Sequence, residues 1–75
     1  MSDRTLDAKG LKCPLPVLRA RKAMKEVPAG GILEVLATDP SAPEDFVNFC
    51  QTTGHDLLEN RQDGDVYVLR IRKLG

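Results

Sequence analysis

Residues 31–38 read Gly-Ile-Leu-Glu-Val-Leu-Ala-Thr, a nearly continuous apolar run. A run of this length indicates a central β-strand that is covered by helices. On its N-terminal side, residues 4–8 are a short strand candidate, and the segment from Pro14 to about Val27 has a helical pattern. The first half of the chain is therefore predicted to fold as a strand, a helix and a second strand.

A second helix is predicted directly after the central strand. Asp39-Pro40 ends the strand, and Ser41 is an N-cap candidate with Glu44 three residues later, which is the spacing of a capping box. Gly54 marks the C-terminal end, because glycine readily takes the left-handed conformation that closes a helix.

Two further strands are predicted over residues 56–61 and 65–73, because Asp63-Gly64 between them is a strong hairpin signal. The alternation of the last strand places Tyr67, Leu69 and Ile71 on one face and Val66, Val68, Arg70 and Arg72 on the other. The order β-α-β-α-β-β predicts an α/β (α+β) two-layer sandwich, in which two helices pack on one face of a four-stranded mixed sheet.

The length and the charge of the chain limit its function. Its 75 residues suffice for one small domain over residues 1–75, which is too small for a deep, closed active site. Lys plus Arg and Asp plus Glu both number 11, so the net charge is zero. Stable direct binding of nucleic acid needs a basic excess and is not expected. We expect a monomer whose chemistry lies at the surface and is completed by a partner protein.

The two cysteines, Cys13 and Cys50, and the single histidine lack the close spacing of zinc ligands, so neither a metal nor a cofactor is expected. The N-terminal residues form no apolar signal segment, and no run reaches transmembrane length. We therefore expect a cytoplasmic protein with reduced thiols and no membrane contact. Cys50 follows Phe49 on the second helix and is expected in the core.

Cys13 lies immediately before the first helix. A helix N-terminus carries unpaired N–H groups and a partial positive charge, and both favour the thiolate, which is the nucleophilic form of cysteine. The N–H groups of Leu15 and Val17 are the expected donors. We therefore predict that the pKa of Cys13 lies below the free value of about 8.5. The cationic side chains expected to lower it further are those of Lys9, Lys12 and Arg19.

A helical wheel separates two faces of the first helix. The apolar arc, predicted to face the core, holds Pro16, Val17, Ala20, Ala23, Met24 and Val27. Leu15 and Leu18 lie on the opposite side, and the cations around them are Arg19, Arg21 and Lys22. Single exposed leucines are common, but two beside a candidate nucleophile, ringed by cations, are typical of a docking patch for a partner.

Two other polar residues have more than one interpretation. Asp39, at the end of the central strand, is a candidate for orienting a lysine or tuning the thiolate of Cys13, or it is only the turn former before Pro40. His55 follows the helix stop and is expected to be a surface or capping residue and not a general base.

Thr-Leu-Asp-Ala at residues 5–8 and Gly-Leu-Lys-Cys-Pro-Leu-Pro-Val at residues 10–17 resemble the N-terminal signature of the TusA/SirA-like sulfurtransferase family. The family's Cys-Pro-x-Pro motif matches at Cys13, Pro14 and Pro16. The resemblance continues through the second helix to the final hairpin and covers almost the whole chain. It implies the same β-α-β-α-β-β sandwich that the pattern predicts.

The resemblance also implies a function. Cys13 would accept a sulfane sulfur as a persulfide from a cysteine desulfurase or a rhodanese-like donor and pass it to an acceptor protein of the TusBCD or DsrE-like kind. Such a sulfurtransferase is active only with its partner proteins. The uses implied are 2-thiolation of tRNA wobble uridine, sulfur supply to molybdenum cofactor, and sulfur oxidation.

Two other functions stay open at this stage. One is a non-catalytic regulatory module that contacts RNA or protein through the basic face of the first helix. The other is a redox sensor in which Cys13 oxidises to sulfenic acid, a function that usually needs a well-placed resolving thiol. A reversible gain of one sulfur from a desulfurase would distinguish the sulfur carrier from both.

Overall fold

The structure is a computed structural model that describes residues 3–74. Its elements are β1 (Arg4–Ala8), α1 (Leu15–Met24), β2 (Ile32–Ala37), α2 (Ala42–Thr53), β3 (Asp56–Asp63) and β4 (Val66–Arg72). The strands form one sheet in the order β1-β2-β4-β3, with β1 parallel to β2 and the other neighbours antiparallel. Because α1 packs on β1 and β2 while α2 packs on β3 and β4, the predicted two-layer sandwich is confirmed.

The core lies between the helices and one face of the sheet. Alternate side chains of β2, those of Leu33, Val35 and Ala37, point toward the helices and are buried. On β4, Leu69 and Ile71 are fully buried in the same core. The continuous apolar run therefore forms a central strand, as predicted.

The predicted apolar face of α1 packs into this core, with Ala20 and Met24 buried on it. The helix ends at Met24, three residues earlier than predicted. Beyond it the N–H of Val27 donates to the carbonyl oxygen of Met24, three residues back, which is the tighter geometry common at helix ends. Pro28 explains the early end, because it has no N–H to donate to the carbonyl oxygen of Met24 and its ring would clash with that oxygen in a continued helix.

The predicted capping box at the start of α2 is wrong. Ser41 occupies the N-cap position, but its backbone is helical (φ −84°, ψ −8°) and its side chain forms no capping hydrogen bond to Glu44 or its neighbours. Asp39 instead accepts hydrogen bonds from two N–H groups at the start of this helix. Its carbonyl oxygen accepts the N–H of Ala42 at 2.9 Å, and its Oδ1 accepts the N–H of Ser41 at 3.2 Å.

Two glycines with positive φ end elements as glycine commonly does. Gly54 (φ 85°) follows α2 at the predicted stop, and its N–H donates to the carbonyl oxygen of Cys50. Gly64 (φ 62°) lies in the hairpin turn between β3 and β4. The turn begins one residue later than predicted, because Asp63 still pairs with Val66 across the hairpin.

Candidate functional site

Cys13 is exposed in the turn between β1 and α1, preceding a cis peptide bond to Pro14. Two side chains that follow β2 hold this turn by its backbone. The hydroxyl oxygen of Thr38 accepts the N–H of Gly10 at 2.9 Å, and Oδ2 of Asp39 accepts the N–H of Cys13 at 2.5 Å. These bonds hold the turn against the end of the sheet at which both helices begin.

Asp39 connects the starts of the two helices. One carboxylate oxygen accepts the N–H of Cys13 and the other accepts the N–H of Ser41. Hydrogen bonds from the backbone of Ser41 and of Cys13 lower the pKa of Asp39, and the charge of Lys12 adds to this effect. Of the two interpretations of Asp39, the structure supports more than a turn former, because its carboxylate fixes the backbone at Cys13.

Cys13 borders two shallow grooves that are open to solvent. The first, of about 440 Å³, lies between residues 10–13 and residues 38–41. The second, of about 270 Å³, lies between the two helices and is lined by Asp45 and Phe49 among others. The thiol is therefore accessible from outside the domain from two directions.

The electrostatic environment of Cys13 is the opposite of the prediction. Hydrogen bonding to the carboxylate of Asp45 and, after it, partial desolvation raise the pKa of Cys13 above its ordinary value. A hydrogen bond with Ser41 works in the other direction, while the negative charges of Asp45 and Asp39 raise the pKa further. The predicted lowering of the pKa of Cys13 is wrong in this structure.

The groups expected to stabilise the thiolate of Cys13 are not among the causes that lower its pKa. The N–H of Leu15 donates to the carbonyl oxygen of Lys12 at 2.8 Å, so it does not point at the sulfur. None of Lys9, Lys12 and Arg19 contributes to the shifted pKa of Cys13. Sequence reasoning missed Asp45, although its place four residues after Ser41, on the first turn of α2, marked it as part of this edge.

The predicted docking patch on α1 is exposed as expected. Leu15 and Leu18 keep 43% and 52% of their surface accessible. Together with Arg19 and Lys22 they line an open groove of about 650 Å³ on the outer side of the helix. Arg21 is the exception, because its guanidinium lies 5.4 Å from the centre of the Phe49 ring, in the groove between the helices.

Cys50 and His55 lie away from the thiol of Cys13. Cys50 is buried in the core, as predicted, and desolvation raises its pKa to about 11. Nδ1 of His55 accepts the N–H of Leu74 at 3.0 Å, and its ring lies 5.9 Å from the Phe49 ring, so it supports the C-terminal end of the sheet.

The fold and the site together define a class of protein. A small two-layer α/β domain presents one exposed thiol at the start of a helix, beside an apolar patch with basic neighbours. Within residues 3–74, no helix is both long enough and apolar enough to cross a membrane. This arrangement is that of a small domain that presents a thiol at its surface.

Comparison with known proteins identifies the family. The family model described as sulfurtransferase TusA matches residues 4–73. The sulfur carrier protein TusA of Pseudomonas entomophila is 48% identical over 95% of this chain and 89% of its own length. The sulfur carrier protein TusA of Allochromatium vinosum is 44% identical over 95% of this chain and 93% of its own. The chain belongs to the TusA family.

A solved structure agrees with this assignment. The crystal structure of the SirA-like protein from Desulfitobacterium hafniense superposes with a TM-score of 0.82 at 30% sequence identity. The match covers 96% of this chain and 99% of that protein. The resemblance predicted from the Cys-Pro-x-Pro motif is therefore confirmed.

Proposed function

We propose that this chain is a sulfur carrier that accepts a persulfide on Cys13 and relays the sulfur to an acceptor protein. The observation that carries the proposal is the exposed thiol of Cys13 at the start of α1, with its backbone held by Asp39. A sulfur that must pass between two proteins has to be presented at the surface on a fixed backbone. The membership of the TusA family supports the same role.

One thiol suffices for this relay. Attack by Cys13 on a donor persulfide transfers the terminal sulfur, and attack by an acceptor thiol on the loaded Cys13 transfers it onward. Cys50 is buried in the core and takes no part. In this proposal the protein is a sulfurtransferase that turns over only with its partners. It acts in the cytoplasm as a monomer, and residues 1–75 form a single domain.

The docking patch on α1 supplies the contact with the partner. Leu15 and Leu18 form its apolar centre, and Arg19 and Lys22 form its charged rim. An apolar centre with a polar rim is the usual composition of a protein interface. Further residues of the proposed contact surface, close to Cys13 in the chain, are Lys9, Lys12, Pro14 and Pro16.

The donor in this proposal is a cysteine desulfurase or a rhodanese-like protein, and the acceptor is a protein of the TusBCD or DsrE-like kind. The sulfur then serves tRNA 2-thiouridine synthesis, molybdenum cofactor or sulfur oxidation. The names of the relatives support a sulfur carrier and leave the choice among these uses to experiment.

Intact-mass spectrometry tests the proposal. After incubation with a cysteine desulfurase and cysteine, the protein should gain about 32 Da, and a reducing thiol should remove the gain. Cys50→Ser serves as the matched control and should load like the unaltered chain. Loading of Cys13→Ser, or no loading of the unaltered chain by any desulfurase or rhodanese tried, would contradict the proposal.

A further inference from the structure

A chain of hydrogen bonds fixes Asp45 relative to Cys13. Oδ2 of Asp39 accepts the N–H of Cys13, and Oδ1 of the same carboxylate accepts the N–H of Ser41. The N–H of Asp45 in turn donates to the carbonyl oxygen of Ser41 at 3.0 Å, within the first turn of α2. The backbone at Cys13 and the backbone at Asp45 are thus held in a fixed position relative to each other.

The carboxylate of Asp45 is available to the thiol of Cys13. Both residues line the groove between the helices, and the interaction with the Asp45 carboxylate is the largest cause of the raised pKa of Cys13. The ion pairs among residues 3–74 do not include Asp45. The other charged groups around the site are Asp39 after β2, Lys12 in the turn before α1, and Arg21, whose guanidinium lies over the Phe49 ring.

We infer that Asp45 is a catalytic residue of sulfur transfer, which holds the thiol of Cys13 as a hydrogen-bond donor in the free protein and takes its proton when a donor persulfide is attacked. This inference rests on the proposed function of Cys13. It assigns a chemical role to a side chain that lies outside the Cys-Pro-x-Pro motif.

The step balances without an oxidant or a reductant. The sulfur of Cys13 bonds to the terminal sulfur of a donor R–S–SH while the donor's S–S bond breaks, and that bond's electron pair stays on the donor sulfur. The proton of the Cys13 thiol passes to the carboxylate of Asp45 and from there to the departing donor thiolate. The products are the persulfide of Cys13 and the donor thiol R–SH.

A carboxylate is a much weaker base than a thiolate, so the proton moves as the new S–S bond forms and not before. A docked partner helps, because exclusion of water favours the neutral form of a carboxylic acid. The nucleophile is consequently masked in the free protein and becomes reactive in the complex. The raised pKa of Cys13 agrees with this masking.

The test compares two rates in the full-length protein. Asp45→Asn keeps the shape of the side chain and removes its charge, whereas Glu44→Gln removes an equal charge from the neighbouring exposed position. For each variant, iodoacetamide alkylation of Cys13 at neutral pH is measured alongside the initial rate of sulfur loading from a cysteine desulfurase with cysteine. Asp45→Glu, which restores a carboxylate, is the rescue variant.

We expect Asp45→Asn to alkylate about two- to fivefold faster, because more thiolate is present, and to load sulfur about tenfold more slowly or worse, because the proton acceptor is lost. Asp45→Glu should recover most of the loading rate, and Glu44→Gln should change neither rate by more than about twofold. A merely structural role would not move the two rates in opposite directions. Loading of Asp45→Asn at the unaltered rate, or a fall in both of its rates, would overturn the role of Asp45. Such a result would leave sulfur transfer by Cys13 intact, because the unaltered chain would still load.

Discussion

Leu18→Ala should weaken partner binding while changing the stability of the fold little. Full burial of a leucine side chain stabilises by about 2 kcal/mol, and Leu18 keeps 52% of its surface exposed in the free domain. A partner that covers Leu18 therefore gains about 1 kcal/mol from it, which is about a fivefold change in Kd. The free energy of unfolding should fall by less than about 1 kcal/mol, because the shortened side chain leaves no enclosed cavity and alanine favours the helix.

The assay pairs a urea unfolding curve with a binding titration against a cysteine desulfurase at fixed salt. Ile71→Val is the matched control, because Ile71 is fully buried beneath the helices. It should lose about 1 kcal/mol of stability and keep its affinity. If Leu18→Ala lost more stability than Ile71→Val and kept its affinity, Leu18 would belong to the core. The docking patch defined by Leu15 and Leu18 would then be wrong.

Further predictions concern the rim, the two thiols and the C-terminal end. Lys22→Glu should slow association with an acidic partner at low salt and have less effect at high salt, which stopped-flow measurements would detect. An association rate that does not depend on salt would contradict the role of the charged rim of the docking patch. Alkylation of Cys13 followed against pH should give a midpoint above the ordinary thiol value, because Asp45 and Asp39 disfavour the thiolate; a lower midpoint would contradict this. Cys50→Ala should lose about 1 kcal/mol of stability yet load sulfur normally. Desolvation lowers the pKa of His55, so its neutral form is favoured in the fold, and stability should fall as the pH drops below about 6.5. Replacement of that histidine by glutamine should flatten this part of the stability profile.

Much of the fold could be predicted because its signals are local. The apolar run of residues 31–38, the helical period of α1 and the glycine after α2 each specify an element from neighbouring residues alone. The exposed positions of Leu15 and Leu18 followed from the same helical period. The end of α1 was predicted too late, because the apolar pattern continues to Val27, whereas Pro28 cannot donate to the carbonyl oxygen of Met24.

The electrostatics of the site could not be predicted in the same way. The carboxylate that binds the N–H of Cys13 comes from Asp39, 26 residues further along the chain. The meeting of these residues depends on the parallel pairing of β1 with β2, which brings the turn after one strand beside the residues after the other. Sequence reasoning considered the near cations Lys9 and Lys12, whereas folding brings the distant Asp45 into the same groove as the thiol.

The most direct test of the account locates the transferred sulfur within the chain. Trypsin, which cleaves after lysine and arginine, separates the two thiols, because Cys13 falls in residues 13–19 and Cys50 in residues 26–61. After loading with a cysteine desulfurase and cysteine, and alkylation to trap persulfides, peptide mass spectrometry should find the additional sulfur, about 32 Da, on residues 13–19. Addition of an acceptor protein should then remove it from that peptide. Sulfur on residues 26–61, or sulfur on Cys13 that no acceptor can remove, would contradict the account.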